Sequence, residues 1–305
     1  MGSHRVVIGT RGSALALWQA DHVAALLRAA HPGLVVERNI IVTTGDRTGP
    51  VGEAGGKAVW VKEIETALLA GEIDLAVHSL KDVPAELAPG LVLAAIPTRA
   101  DVRDALVSRD GSTLDNLPVG ARVGTTSLRR ICQVKKLRPD LLLEPLRGNL
   151  DTRLRKVAEG RVDAAVLACA GLDRLGLAQH IAERIAIERM LPAIGQGALA
   201  IETRAADEPL RVLCRVLASE DAEITVMAER TLLQHLGAGC RTPVAGTAQV
   251  QQGKLEVWGL VGSPDGGTML REHVSGPPSA AQALGKALAE ALIARGADRI
   301  LAEFR

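Results

Sequence analysis

The stretch Ile73-Asp-Leu-Ala-Val-His-Ser-Leu-Lys-Asp-Val-Pro84 predicts a β-strand that carries two charged side chains to the edge of a sheet. Its apolar residues alternate with smaller or polar ones, and Pro84 cannot extend a central strand. The strand is therefore expected to end near His78, with Lys81 and Asp82 just beyond its carboxyl end. Ligands of open α/β sheets bind at that edge. The pair could hold an anionic substrate while the acid stabilises a developing positive charge, although an exposed ion pair in a turn is the simpler interpretation.

Length and composition restrict the class of protein. The 305 residues suffice for two or three domains of about 100–150 residues each, and 47% of them are hydrophobic. No run of about 18 apolar residues predicts a membrane span, and the amino terminus lacks the apolar segment of a secretion signal. Four widely spaced cysteines fit a reducing compartment, and the scattered histidines predict no metal site. We expect a cytoplasmic monomer without a membrane partner.

The net charge of +1 conceals a basic segment. Residues 121–161 contain 11 Lys and Arg and four acids, so this window carries +7 and the rest of the chain −6. Local positive charge in a nearly neutral chain favours a small polyanionic ligand over nucleic acid. The absence of Tyr, with one Phe and three Trp, leaves little for base stacking. A solvated basic helix face is the alternative for part of this charge.

Strand and helix patterns alternate along residues 1–98. After a first short strand, the turn Gly9-Thr-Arg-Gly-Ser13 leads into a helix whose amino terminus, together with Arg11, could bind an anion. The dinucleotide fingerprint GxGxxG is absent. The glycine-rich stretch 44–57 has no periodicity and is interpreted as a lid, with Lys57 as a carboxylate contact. The predicted strands are at 6–8, 34–43, 73–78 and 91–96, and the predicted helices at 14–30 and 61–70.

A second unit of the same kind follows a polar crossing at 98–104. Its alternating strands and helices predict a parallel or mixed sheet covered on both faces. A second crossing at 190–197 returns the chain to the first sheet. The predicted strands are at 121–124, 141–146 and 163–168, and the predicted helices at 127–137 and 150–159.

The pattern changes near residue 218. A helix, a glycine loop, three strands with tight turns and a final helix predict a small α+β domain. We therefore predict an α/β fold with two lobes around a cleft, plus this C-terminal domain. The predicted domains are 1–98 with about 198–217, then 99–197, then 218–305. The C-terminal elements are helices at 222–236 and 280–295 and strands at 244–251, 254–261 and 268–274.

Cys240 differs from the other three cysteines, which lie in apolar patterns typical of core thiols. It lies in the loop Gly237-Ala-Gly-Cys-Arg-Thr-Pro243, where the cation of Arg241 favours the thiolate and the glycines permit close approach of a bulky partner. A reactive or covalently modified Cys240 and an unreactive loop cysteine are equally compatible with this pattern.

Hydroxyls and guanidiniums converge on a predicted helix start in the basic segment. The residues Thr125-Thr126-Ser127 precede Arg129 and Arg130, where free N–H groups and the positive end of the helix dipole also favour an anion. One arginine at a helix start is commonly structural, whereas several that converge indicate a ligand with several carboxylates or phosphates. Further candidates are Arg147, Arg153 and Arg174.

Eight blocks, found in one order along nearly the whole chain, resemble the hydroxymethylbilane synthase family, also called porphobilinogen deaminases. The blocks are Thr10-Arg-Gly-Ser-Ala-Leu-Ala-Leu-Trp-Gln19, Gly55-Gly-Lys57, Val77-His-Ser-Leu-Lys-Asp-Val-Pro84, Gly124-Thr-Thr-Ser-Leu-Arg-Arg130, Leu146-Arg-Gly-Asn149 with Thr152-Arg-Leu154, Ala170-Gly-Leu-Asp-Arg-Leu-Gly176, Leu191-Pro-Ala-Ile-Gly-Gln-Gly-Ala198 and Gly239-Cys-Arg-Thr-Pro243.

The resemblance implies two lobes like those of periplasmic binding proteins and a dipyrromethane cofactor joined to Cys240 through a thioether. It also implies a reaction of tetrapyrrole biosynthesis, in which four porphobilinogens are joined head to tail with loss of ammonia to give linear hydroxymethylbilane. Asp82 matches the catalytic aspartate of the family. The positions that match cofactor-binding residues are Lys81, Thr125, Ser127, Arg129 and Arg130. The positions that match substrate-binding residues are Arg11, Ser13, Gln19, Lys57, Arg147, Arg153, Arg174 and Gln196.

Two other classes of function are compatible with parts of the sequence. A two-lobed solute- or effector-binding protein without chemistry would explain the lobes and the anion sites, but not Cys240 in its glycine loop or a third domain. A nucleic-acid-binding protein would explain the basic segment, but not the scarcity of aromatic residues.

Overall fold

The computed structural model describes residues 5–44, 61–239 and 242–304. By internal contacts the chain divides into two units, one of residues 1–99 and 198–223 and one of residues 100–197 and 224–305. In chain order the described elements are β1 (Arg5–Thr10), α1 (Ala14–Ala30), β2 (Val35–Ile40), α2 (Lys62–Leu69), β3 (Leu75–Ser79), β4 (Leu91–Ala95), β5 (Asp104–Ser108), β6 (Arg122–Gly124), α3 (Leu128–Leu137), β7 (Leu142–Glu144), α4 (Leu150–Ala158), β8 (Ala164–Ala168), α5 (Cys169–Arg174), β9 (Glu183–Ile185), β10 (Leu199–Arg204), α6 (Glu208–Arg215), α7 (Glu220–His235), β11 (Val244–Gln251), β12 (Lys254–Gly262), β13 (Met269–Gly276), α8 (Ala281–Ala294) and α9 (Ala297–Ala302).

A mixed five-stranded sheet in the order β2-β1-β3-β10-β4 forms the centre of the first unit. Strand β1 pairs in parallel with β2 and β3, whereas β10 runs antiparallel to β3 and β4. Helix α1 buries a stripe of apolar residues spaced three or four apart, which packs in one core with Leu75 and Val77 of β3. This face covers the sheet, as the strand–helix alternation predicts.

The second unit contains a sheet of the same design and a smaller third sheet. The order β7-β6-β8-β5-β9 again places three parallel strands beside one strand, β5, that runs antiparallel to both neighbours. The third sheet is the antiparallel meander β11-β12-β13, which packs on α7 and α8 in one core. The predicted mixed α/β fold with two sheet-containing parts and a small C-terminal sheet is confirmed.

Local sequence signals, such as helix caps and turn residues, predicted the ends of most elements to within a few residues of their observed positions. Ser13 accepts a hydrogen bond from the Ala16 backbone N–H and caps α1, and the tight turn between β11 and β12 has positive φ at both Gln252 and Gly253. Strand β5, which begins at Asp104, was not predicted, because the stretch 98–104 reads as a polar crossing. Helices α5 and α6 and strand β9 were also not predicted. Within the described ranges, no helix combines the length and apolar character that a membrane span requires.

The two crossing segments are joined by a backbone hydrogen bond from Ala100 N–H to the Gly197 carbonyl, 3.1 Å long. Gly197 has a φ of +87°, and a Cβ atom at this position would lie 2.5 Å from the Ala100 carbonyl oxygen. Gly33 has nearly the same φ of +88°, but no heavy atom lies within 4 Å of the position of its Cβ. A comparison of alanine variants at Gly33 and Gly197 therefore separates the cost of a positive φ from the cost of the steric clash.

We expect Gly197→Ala to lower the melting temperature more than Gly33→Ala does. The left-handed conformation costs each alanine about 1–2 kcal/mol, and the backbone clash adds about 1–3 kcal/mol at Gly197 alone. The melting temperatures of both variants are obtained from thermal unfolding curves recorded by circular dichroism. Equal losses in the two variants would contradict the close approach at Gly197.

Candidate active site

The first group of predicted site residues lies at one edge of the sheet in the first unit. Strands β1 and β3 are parallel neighbours, so their carboxyl ends meet at this edge. Arg11 and Ser13 follow β1, and Lys81 and Asp82 lie in a single 3₁₀ turn, Leu80–Asp82, directly after β3. Strand β3 ends at Ser79, one residue beyond the predicted end. The four side chains are half-buried, as expected of groups that could meet a ligand.

Two hydrogen bonds fix the end of β3 and the turn that carries Asp82. Buried Gln19 on α1 donates from Nε2 to Ser79 Oγ at 2.7 Å. On the other side, Leu80 N–H donates to the Ala198 carbonyl at 3.0 Å, next to the start of β10. Gln19, predicted as a substrate contact, thus bonds a protein hydroxyl that immediately precedes the turn.

A buried ionisable cluster that was not predicted from the sequence adjoins the strand that precedes this turn. His78 Nε2 on β3 lies 3.0 Å from Glu202 Oε2 on β10, and both side chains are buried. Glu65 on α2 belongs to the same cluster, because burial and the Glu202 charge raise the pKa of its carboxyl, while His78 opposes the rise. The signal in the sequence was Glu202, a lone acid in the otherwise apolar segment 198–202.

The second group lies at the carboxyl ends of β6 and β7 in the second unit, around a cavity of about 250 Å³. Thr125 and Arg147, both predicted as site residues, line this cavity. Ser127 occupies the N-cap position of α3, but its side chain makes no capping hydrogen bond. Instead, Thr125 Oγ1 accepts from the Ser127 backbone N–H at 3.2 Å. The predicted cluster of hydroxyls therefore lies at the N-terminus of α3, with Ser127 at the N-cap position and the Thr125 hydroxyl as the acceptor. The other lining residues are Thr126, Ile131, Leu143, Glu144 and Pro145.

Arg129 and Arg130, in the first turn of α3, are 4% and 6% exposed and share one carboxylate. Asp104 on β5, which has no exposed surface, accepts from Arg129 Nη1 at 2.5 Å and from Arg130 Nη2 at 2.7 Å. Burial alone would raise the pKa of Asp104, but the two guanidiniums hold it well below its usual range. Asp104 was not predicted as a site residue, because strand β5 was not predicted.

The other predicted residues of this unit have different surroundings. Arg174 donates from Nη2 to the Gly197 carbonyl at 2.7 Å, and burial lowers its pKa to about 10, so it stays cationic at neutral pH. Half-buried Arg153 donates from Nε to the Gly148 carbonyl at 2.8 Å. Buried Gln196 donates to Asp104 Oδ1 at 3.0 Å. Lys57 and Cys240, and most of the predicted lid, lie outside the described residues.

Two sequence models of one family match this chain. The model described as porphobilinogen deaminase, dipyromethane cofactor binding domain, matches residues 6–212, and the model of the C-terminal domain matches residues 223–294. The chain belongs to the porphobilinogen deaminase family.

Curated relatives in this family match along nearly their whole length. The porphobilinogen deaminase of Syntrophotalea carbinolica is 51% identical over 99% of this chain and 96% of its own. Those of Syntrophus aciditrophicus and Syntrophobacter fumaroxidans are 49% and 48% identical, each over 97% of this chain and 97% and 96% of their own. The methionine-binding protein MetQ, a solved structure, aligns with 73% of this chain and 93% of its own at 15% identity and a TM-score of 0.44.

The second unit fits the anionic cofactor after which the family model is described. Dipyrromethane carries acetate and propionate groups, and Asp104 neutralises only one of the two buried guanidinium charges. A buried charge without a counterion is costly, so a carboxylate from a bound molecule would be stabilised here. The donor set therefore suits the carboxylates of this cofactor.

Two glutamates on α2 should respond to pH in opposite directions. The raised pKa of Glu65 means that its stabilising effect is complete below pH 4.5, its ordinary pKa, and is lost as pH rises through the folded-state pKa. Burial alone would raise the pKa of Glu63, but hydrogen bonds from Thr44 lower it. Its contribution is present above pH 4.5 and is lost as pH falls.

We therefore expect Glu65→Gln to become more stable relative to the natural protein between pH 4 and pH 8, and Glu63→Gln to become less stable. Urea unfolding at pH 4, 6 and 8 measures both differences. Each variant is the control of the other, because the two residues are two positions apart on one helix. Differences that change with pH in the same direction would contradict the assigned environments.

Proposed function

We propose that this chain joins four porphobilinogen molecules head to tail, with loss of one ammonia each, to give linear hydroxymethylbilane in tetrapyrrole biosynthesis. The observation that carries the proposal is the match of both family models, in order, over most of the chain. In each condensation the bond from the aminomethyl carbon to nitrogen breaks. That carbon then bonds to the free α-carbon of the pyrrole at the end of the growing chain, which loses its proton. In the last step water adds to the methylene carbon of the finished tetrapyrrole and gives its hydroxymethyl group.

Asp82 is proposed as the catalytic residue. Loss of ammonia leaves a cationic methylene-pyrrolenine, and a fixed carboxylate would stabilise both this cation and the pyrrole N–H groups. Asp82 would also move protons for the departing amine and for the α-carbon of the attacking pyrrole. Support comes from its position at the sheet edge in a turn that is hydrogen-bonded to Ala198.

The arginines are proposed to bind carboxylates. Each pyrrole carries an acetate and a propionate, and a guanidinium binds a carboxylate through two parallel hydrogen bonds. We assign Arg11, Ser13, Gln19, Lys57, Arg147, Arg153, Arg174 and Gln196 to the substrate. We assign Lys81, Thr125, Ser127, Arg129 and Arg130 to the cofactor.

Cys240 is proposed to hold the dipyrromethane through a thioether. When bound, this cofactor supplies the pyrrole from which chain growth begins. The other three cysteines are buried, and burial raises the pKa of the thiols of Cys132, Cys169 and Cys214 to about 11, 12 and 12. Such thiols are poor nucleophiles at neutral pH, which leaves Cys240 as the candidate.

We further propose a cytoplasmic monomer that acts without a nucleic acid or membrane partner, organised as the three domains given above.

Asp82→Asn should abolish turnover and leave the fold intact. Loss of the carboxylate removes both cation stabilisation and proton transfer, so the rate of ammonia release should fall by at least about 10²–10⁴-fold. Ammonia and hydroxymethylbilane are measured after addition of porphobilinogen. Asp74→Asn is the control, since Asp74 precedes the same strand and accepts from the Val7 N–H at 2.7 Å. A near-normal rate in Asp82→Asn would remove Asp82 from its role.

Intact mass under denaturing conditions tests the attachment. Protein expressed with porphobilinogen available should carry the added mass of two pyrrole units, and Cys240→Ser should carry none. Cys214→Ala, which changes a buried thiol, should retain the added mass. Bare chain in the natural protein would argue for a binding protein without chemistry, as would tight binding of a small acid without ammonia release.

A further inference from the structure

The buried carboxylate of Asp104 is the common partner of three side chains from two separate parts of the second unit. It accepts from Arg129 and Arg130 at the start of α3 and from Gln196 in the crossing segment. Asp104 Oδ1 alone accepts from all three. Four of these five contacts come from the guanidiniums and restrict the rotation of both.

Backbone carbonyls complete this arrangement. Arg129 Nη1 donates to the Leu191 carbonyl at 2.9 Å, and Arg130 Nη1 donates to the Val166 carbonyl at 2.8 Å. A guanidinium has five N–H groups, and described residues occupy three on each arginine. Two N–H groups on each arginine therefore have no acceptor among the described residues, and a bound carboxylate could accept from them.

The local charges do not balance. Among the residues that the structure describes, two guanidiniums face one carboxylate, which leaves one positive charge in a region with almost no solvent exposure. The thiol of Cys169 lies beside Arg130, but its pKa of about 12 keeps it neutral. The nearby Arg103 and Arg184 have their own partners in Asp101 and Asp173.

We propose that Asp104 is a positioning residue, which acts through Arg129 and Arg130 by reducing their combined charge to the single unit that one ligand carboxylate neutralises. Asp104 itself would not touch the ligand. The inference rests on the proposed function for the identity of the ligand, a dipyrromethane carboxylate, but the charge balance is a property of this chain alone. A purely structural ion cluster, which would stabilise the unit regardless of any ligand, is the competing explanation.

The first test compares melting temperatures with and without the cofactor, with loading verified by intact mass. In Asp104→Asn the number of unpaired positive charges rises from one to two, so the unloaded variant should have a lower melting temperature than the unloaded natural protein. Loading should raise the melting temperature of the variant by about 3 °C or more beyond the rise in the natural protein. Asp163→Asn is the matched control, since Asp163 also pairs with an arginine, Arg122, in the same unit, but its side chain is 28% exposed. Its rise on loading should equal that of the natural protein. An equal or smaller rise in Asp104→Asn would overturn the proposal.

A second variant keeps the test decisive if Asp104→Asn folds poorly. Asp104→Asn with Arg130→Gln again has one unpaired charge, so the unloaded double variant should melt higher than the single variant. A structural hydrogen-bond cluster predicts a further fall instead, and that result would overturn the proposal. If the natural protein never gains the two-pyrrole mass, the proposed function fails, while this comparison of unloaded variants still decides the charge balance.

Discussion

Each of the two α/β sheets depends on one constraint. The strand that is antiparallel to both of its neighbours carries a buried acid. In the first unit that strand is β10, and Glu202 holds His78 of the adjoining β3. In the second unit it is β5, and Asp104 holds two arginines of α3. Both strands occupy the fourth position of five. In both units a buried acid thus fixes a basic side chain close to the predicted site.

The buried acids and their basic partners are retained at an energetic cost. Removal of an ion from water costs several kcal/mol even after relaxation, and well-packed apolar residues of similar volume often stabilise a protein as much or more. Positional precision is what an apolar core would not supply, because a carboxylate with several donors sets both distance and angle. The start of α3 and the end of β3 are where a ligand with several carboxylates would need such precision.

The elements that the sequence predicted correctly are those with a local signal. The strand and turn around Asp82, the Ser13 cap and the turn at Gln252 each follow from a few consecutive residues. Strand β5 was missed because its pairing with β8 joins residues about 60 positions apart, and a polar first residue conceals it. The partners of Gln19 and Gln196 could not be predicted for the same reason, since both depend on how distant segments pack.

The basic segment of residues 121–161 divides into two kinds of charge. Several of its side chains are bound by protein groups near the surface: Arg122 pairs with Asp163, Arg138 with Asp140, and Lys135 donates to the Leu141 carbonyl. These contacts account for positive charge without a ligand, as the interpretation of a solvated helix face predicts for part of the segment.

The arginines of the first turn of α3 differ, because they are buried and share a carboxylate that cannot neutralise both. A track for nucleic acid would need continuous exposed charge, whereas one surplus charge in a buried place is suited to a single carboxylate. The distribution of charge, more than its total, therefore supports a small acid as the ligand.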